Sequence, residues 1–406
     1  MVFDVSISRL IFILCFVCVA GQQLRWLRKE AYETVPELIT SAGYPVEKHR
    51  VVTSDGYILQ LHRIPSGRRI ARKAGSRVKG KKSVLIGHGL LGSSGDFVIM
   101  GPERSLAYLL ADAGYDVWLA NWRGNVYTSH QRYKRNDPKF WNYTFHEHGV
   151  YDLPATIDKV LNVTKLPKLL YIGYSMGTTT CFVMLAEKPE YNDKLIAYVA
   201  LAPAVYMSNL IPLVGWLVKD VNIFDQARAT GMVSLNINQD ILDVFLKTVC
   251  FANTAQGDIC MNLIYNFIGE DTEQYDPDLT SVILFRMQPA SFGQFEHFIK
   301  IAFTDVFTAW EDGKDGIVRV YNLDNVRVPV TLFYGENDKL TEKSQIYRLA
   351  EKLNSTGVLE DIRPATSWHK FNHFDFAFAK DVGKLCNKPL VKYIEYLYDK
   401  YGTKDN

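Results

Sequence analysis

Ser175 lies in Gly173-Tyr174-Ser175-Met176-Gly177, a G-x-S-x-G pentapeptide. The apolar run Leu169 to Ile172 leads into it, and a helix-like stretch, Thr178 to Glu187, follows. In this strand–turn–helix setting a serine sits on a strained turn that lifts its hydroxyl into the open. Side chains two residues to either side would collide with the neighbouring strand and helix, so both positions are glycine. A serine hydroxyl is a poor nucleophile near neutral pH. It needs a histidine base oriented by a carboxylate, and such a trio performs acyl transfer through a covalent acyl-serine.

In this arrangement the chain order is serine, then acid, then histidine. Val328 to Tyr334 reads as a strand, and Gly335-Glu336-Asn337-Asp338 makes the turn behind it. Asp338 is the first choice of acid, with Asp375 and Glu336 as rivals. Lys370-Phe371-Asn372-His373-Phe374-Asp375 places a histidine in an aromatic loop near the C-terminus. His373 is the expected base. His369 competes but lacks flanking aromatics to shield an imidazole.

A developing oxyanion needs two backbone donors. Met176 N–H, directly after the nucleophile, is one. The strand Ser83 to Ile86 ends in Gly87-His88-Gly89-Leu90-Leu91-Gly92, whose small residues let backbone approach a carbonyl, so Leu90 N–H is the second. His88 reads as a structural hydrogen-bonding residue. His146-Glu147-His148 lacks the i, i+4 histidine spacing of a helical zinc site. With no phosphate-binding loop and no dinucleotide fingerprint, no cofactor or metal is expected.

The elements that must position these residues alternate. Strand-like runs at Val51 to Thr53, Tyr57 to His62, Ser83 to Ile86, Asp116 to Ala120, Leu169 to Ile172, Ala197 to Leu201 and Val328 to Tyr334 are interleaved with helix-like Ser105 to Ala113, Leu153 to Val163 and Thr178 to Glu187. Such alternation predicts an α/β fold with a mostly parallel sheet. It breaks between Tyr206 and Asn322, where NLIPLVGWLV, DILDVFLKTVC and FEHFIKIAF are aromatic and helix-like. Residues 206–322 are expected to form a helical cap inserted between two parts of the core, 21–205 and 323–406.

Residues 1–20 read as a secretory leader. Leu10 to Ala20 is an apolar run of 11 residues behind Arg9, too short to span a bilayer, with small residues at Ala20 and Gly21. Leu210 to Val218 is apolar but shorter still, so no transmembrane segment is expected in the mature chain. A secreted destination makes the cysteines and N-x-S/T triplets informative. Cys250 and Cys260 flank the polar stretch FANTAQGDI and could staple it, while Cys181 and Cys386 are expected to stay free. Asn142, Asn162 and Asn354 are glycan acceptors by pattern. Lysine plus arginine is 46 against 44 aspartate plus glutamate, a formal charge of +2, which argues against a nucleic-acid partner. The eight basic residues between Arg68 and Lys82 read as a solvated loop.

These blocks together resemble the acid lipase family that includes gastric and lysosomal acid lipases. The resembling stretches are SAGYPVEKHRVVTSDGYILQLHRIP, GHGLLGSSGDFV, NWRGNVYTSH, FWNYTFHEHGVYDLPATIDKVL, GYSMG, YGENDKL and FNHFDF, running from about Glu37 to about Phe378. The resemblance implies an α/β-hydrolase fold with an inserted cap and lid. It also implies hydrolysis of lipid esters, triacylglycerols or cholesteryl esters, at a lipid–water interface, in a secreted or lysosomal protein. Residue by residue it implies Ser175 as nucleophile, Asp338 as orienting acid, His373 as base, and Leu90 and Met176 as oxyanion donors. Cys250 and Cys260 resemble the family's cap disulfide. The chain departs from the family at the elbow, usually GHSQG, where Tyr174 and Met176 replace histidine and glutamine.

Overall fold

A computed structural model describes residues 29–68, 82–210, 222–235, 255–311 and 316–402. The leader, Cys250 and most of the basic run (69–81) lie outside them.

The central strands are mostly apolar because both of their faces are covered. β3 (Ser83–Gly87), β4 (Asp116–Leu119), β6 (Leu169–Tyr174), β7 (Leu195–Leu201) and β10 (Val330–Tyr334) are buried at every position. With β1 (Glu47–Val52), β2 (Tyr57–Ile64), β5 (Thr128–His130) and β11 (Leu359–Pro364) they form a nine-stranded sheet in the order β1-β2-β4-β3-β6-β7-β10-β11, with β5 on β2. Pairing is parallel from β4 to β11; β2 runs antiparallel to β1, β4 and β5. One apolar cluster covers each face. Helices Leu106–Asp112 and Lys388–Tyr401 belong to the first, and Leu153–Thr164, Met176–Glu187 and Lys343–Ser355 to the second.

Two strands of the large sheet escape the sequence reading. β5 has three residues, and β11 is an edge strand, LEDIRP, partly buried to exposed along its length, whose charges hide any alternation. Within 206–322 the described residues contribute no strand to the large sheet. They form helices Ile223–Ala229, Ala255–Ile268, Pro277–Phe285 and Phe292–Thr304, and a two-residue ladder of β8 (Ser234–Leu235) on β9 (Ala290–Ser291). The stretch between Cys250 and Cys260 is not all loop. Helix Ala255–Ile268 begins within it, because Met261, Ile264, Tyr265 and Ile268 recur at helical spacing and pack towards Phe374. Cys260 therefore sits on a helix, while its proposed pairing with Cys250 lies outside the described residues. Cys181 and Cys386 are buried free thiols. No helix among the described residues is long and apolar enough to cross a membrane.

Candidate active site

Ser175 stands between β6 and helix Met176–Glu187 with φ 52° and ψ −120°. That is a strained conformation for a residue bearing a Cβ, tolerated because the surrounding structure over-determines it. The flanking glycines make it possible. A Cβ on Gly177 would lie 2.3 Å from the Gly87 carbonyl oxygen, and one on Gly173 2.7 Å from that of Gly177. The helix starts at Met176 rather than Thr178, so the turn feeds it directly.

The three distant residues meet. Ser175 Oγ is 2.9 Å from His373 Nε2, and His373 Nδ1 is 2.8 Å from Asp338 Oδ2. Asp338 is oriented in turn by Leu340 N–H (2.9 Å), Thr341 N–H (2.8 Å) and the Thr341 hydroxyl (2.7 Å). The rivals lie elsewhere. Glu336 is exposed and pairs with Lys343, and His369 is exposed beside Trp368. Asp375 is buried, but it accepts from Asn372 N–H at 2.6 Å and faces Asp271, not His373.

The loop after β3 is held by His88. Its Nε2 accepts from Trp122 N–H (3.1 Å), which leaves Nδ1–H to donate to the Gly89 carbonyl at 2.8 Å. Burial pulls its pKa down to about 4, so the ring stays neutral. Leu90 follows in this loop. Met176 N–H opens the first turn of its helix, where no intrahelical acceptor exists. Neither the Leu90 nor the Met176 N–H has a hydrogen-bond partner among the described residues.

Ser175 and His373 open on a cavity of about 410 Å³. Ile264 and Phe267 from helix Ala255–Ile268, Ile283 and Leu284 from helix Pro277–Phe285, and Met287, Phe374 and Phe378 line it. Its polar wall contains Asp96 and Arg286. The cavity has room for an apolar chain beside the Ser175 hydroxyl.

Several contacts escape the sequence reading. Tyr174, noted there only as a departure, donates from its hydroxyl to the His373 carbonyl oxygen at 3.0 Å. Met176 places its sulfur 3.3 Å from the Gln294 amide, on helix Phe292–Thr304. The chain behind helix Ala255–Ile268 is tied to both loops of the site. Ile268 O accepts from His373 N–H (3.3 Å) and Lys339 N–H (3.4 Å), Gly269 O from the Asn372 amide (2.9 Å), and Glu270 O from the Asn337 amide (2.7 Å). Asn142, Asn162 and Asn354 are exposed, the last two on helices Leu153–Thr164 and Lys343–Ser355.

Residues 35–101 match the family model of the partial alpha/beta-hydrolase lipase region, and residues 82–229 that of the alpha/beta hydrolase fold. The chain is 34% identical over 386 residues to Lipase 1 of Drosophila melanogaster, covering 91% of this chain and 81% of that protein. It is 36% identical over 378 residues to Lipase 3 of the same organism, covering 88% and 92%. It is 31% identical over 390 residues to gastric triacylglycerol lipase of Bos taurus, covering 90% and 94%. With the strained turn at Ser175 and the mostly parallel sheet that carries it, these likenesses identify the chain as a carboxylic ester hydrolase of the α/β-hydrolase fold, and it belongs to the acid lipase family.

Proposed function

We propose that Ser175, His373 and Asp338 hydrolyse the ester bonds of lipids, triacylglycerols or cholesteryl esters, through an acyl-enzyme. The observation that carries this reading is the unbroken Ser175–His373–Asp338 hydrogen-bond chain opening on an apolar cavity. Ser175 Oγ attacks the ester carbonyl carbon while its proton passes to His373 Nε2. The carbonyl oxygen becomes an oxyanion received by Leu90 and Met176 N–H. The carbon–alcohol bond breaks, and the departing alkoxide takes the proton from Nε2. Water, deprotonated by the same nitrogen, then attacks the acyl-serine carbonyl; the bond from the acyl carbon to Ser175 Oγ breaks, Oγ takes the proton back from Nε2, and the fatty acid leaves. Asp338 keeps Nδ1 protonated and stabilises the transient imidazolium.

Residues 206–322 serve in this reading as the cap that excludes water from the acyl chain, with a Cys250–Cys260 bridge fixing one corner. The destination is secretion, or alternatively the lysosome, with glycans on Asn142, Asn162 and Asn354. A fluorophosphonate probe tests the nucleophile. Mass spectrometry of the digested protein should find the adduct on Ser175, with fatty-acid release from emulsified trioleoylglycerol lost in step. An adduct on another serine, or turnover surviving in Ser175→Ala, rejects the reading. A second reading, an esterase of small soluble esters, is separated by comparing emulsified with dissolved substrates.

A further inference from the structure

Ile99 stands between two cavities. It is 6% exposed and lines the cavity that holds Ser175. It also lines a second cavity of about 390 Å³. Leu38 from helix Val35–Ser41, Val98, Met100 and Tyr108 are apolar walls of this second space, and Lys29, Glu33, Glu103 and Arg104 are charged ones. Among the described residues, Ile99 is the one that both cavities share. Close by, the boundary is bridged by hydrogen bonds. Arg286 lines the catalytic cavity, and its Nη1 donates to the carbonyls of Glu30 and Glu33, which line the second, at 2.9 and 2.6 Å. Gly95 joins the two parts of this boundary: its carbonyl accepts from Ile99 N–H at 3.0 Å, and a Cβ on it would stand 3.4 Å from Arg286 Nη2.

Ile99 therefore closes its part of the boundary with a side chain alone. The backbone beneath is held, by the bond to Gly95 and by Gly101 N–H closing on Val98 O at 3.1 Å. A β-branched side chain on a held backbone has few rotamers with which to yield. An apolar chain gains binding only from the methylenes that leave water. Those that fit between Ser175 and Ile99 do so; a longer chain meets the partition. We propose that Ile99 ends the acyl site, so that its side chain sets the longest acyl chain the catalytic cavity takes by closing off the cavity behind it. The proposal rests on the reading of Ser175 as nucleophile towards a lipid ester and adds to it a residue that determines chain-length preference.

The test uses saturated p-nitrophenyl esters of every acyl length from four to eighteen carbons, in the same detergent micelles, with the full chain. For wild type, Ile99→Ala and Ile99→Val, kcat/KM is read relative to the four-carbon ester of the same protein. In wild type it should climb by about four-fold per methylene and then level off at one length. Ile99→Ala deletes three side-chain carbons, so levelling-off should come about three carbons later, or later still if the chain end enters the second cavity. Ile99→Val, short of one methyl group, should delay it by about one carbon, and it decides the matter alone if the alanine variant does not fold. Levelling-off at one common length in all three proteins overturns the proposal and leaves the reading of Ser175 intact. So does a wild-type curve that climbs to eighteen carbons without a break. Loss of four-carbon ester hydrolysis in Ile99→Val would put Ile99 in the catalytic geometry and overturn the proposal as well. A wild-type chain that hydrolyses none of the esters, or the shortest only, overturns the lipid reading, and the proposal falls with it.

Discussion

Tyr174 and His373 are 199 residues apart in the chain, yet the Tyr174 hydroxyl holds the His373 backbone carbonyl at 3.0 Å while their rings lie 5.5 Å apart. Tyr174, directly before Ser175, thus helps to fix the loop that carries His373. Tyr174→Phe removes only the donor and leaves a buried carbonyl unpaired, at a cost of about 1–3 kcal/mol. The loop should loosen, and kcat should fall by about ten-fold with KM nearly unchanged. Steady-state kinetics on a soluble short-chain ester decide it; a fall confined to KM would show that the contact serves binding instead.

Asp338 and Asp375 are both buried aspartates near His373, and only Asp338 touches Nδ1. Asp338→Asn should lower kcat by about 10⁴-fold, the effect of losing the orienting carboxylate of a triad. Asp375→Asn should lower it much less. Parallel kinetics on the two variants check the ranking, and the opposite order would reassign the acid.

Asp375 and Asp271 face each other between the histidine loop and the chain behind helix Ala255–Ile268, with the Trp368 indole donating to Asp271 Oδ2 at 2.6 Å. Burial raises both, Asp375 to about 8. A carboxyl raised on folding binds its proton more tightly in the native state. Its contribution to stability is therefore full below its ordinary pKa near 4 and is lost as pH climbs towards 8. The melting temperature should fall from pH 5 to pH 8, by on the order of 5 °C. Asp375→Asn, permanently neutral, should flatten that slope. Thermal melts across the range read it directly, and equal slopes would place the pH dependence elsewhere.

Gly177→Ala puts a methyl group 2.3 Å from the Gly87 carbonyl oxygen, a contact only backbone movement can relieve. Overpacking of this kind costs about 1–3 kcal/mol or more. The shift should also move Met176 N–H and the loop after β3 together. Lost activity with a lower melting temperature is the expected pair of results. A variant as stable and active as wild type would mean that the elbow has slack.

The site was legible where chemistry and local structure coincide. Ser175 carries its own strand–turn–helix signature, and Asp338 and His373 follow in the order a triad on this fold demands. The inward strands announced themselves as apolar runs. β11 did not, because an edge strand buries little and LEDIRP can afford its charges. The start of helix Ala255–Ile268 was hidden by polar residues that read as a loop. Side-chain partnerships across hundreds of residues, such as Tyr174 with His373 or Asp271 with Asp375, leave no trace in spacing.

The ties from Ile268, Gly269 and Glu270 to the Asp338 and His373 loops constrain how a bulky ester can enter. If the C-terminal turn of helix Ala255–Ile268 swung outward as a door, four hydrogen bonds would break, and the acid and base would be dragged out of register with the serine. This turn therefore acts as a doorpost. Opening through parts of the wall that make no such ties would leave the Ser175–His373–Asp338 hydrogen bonds in place.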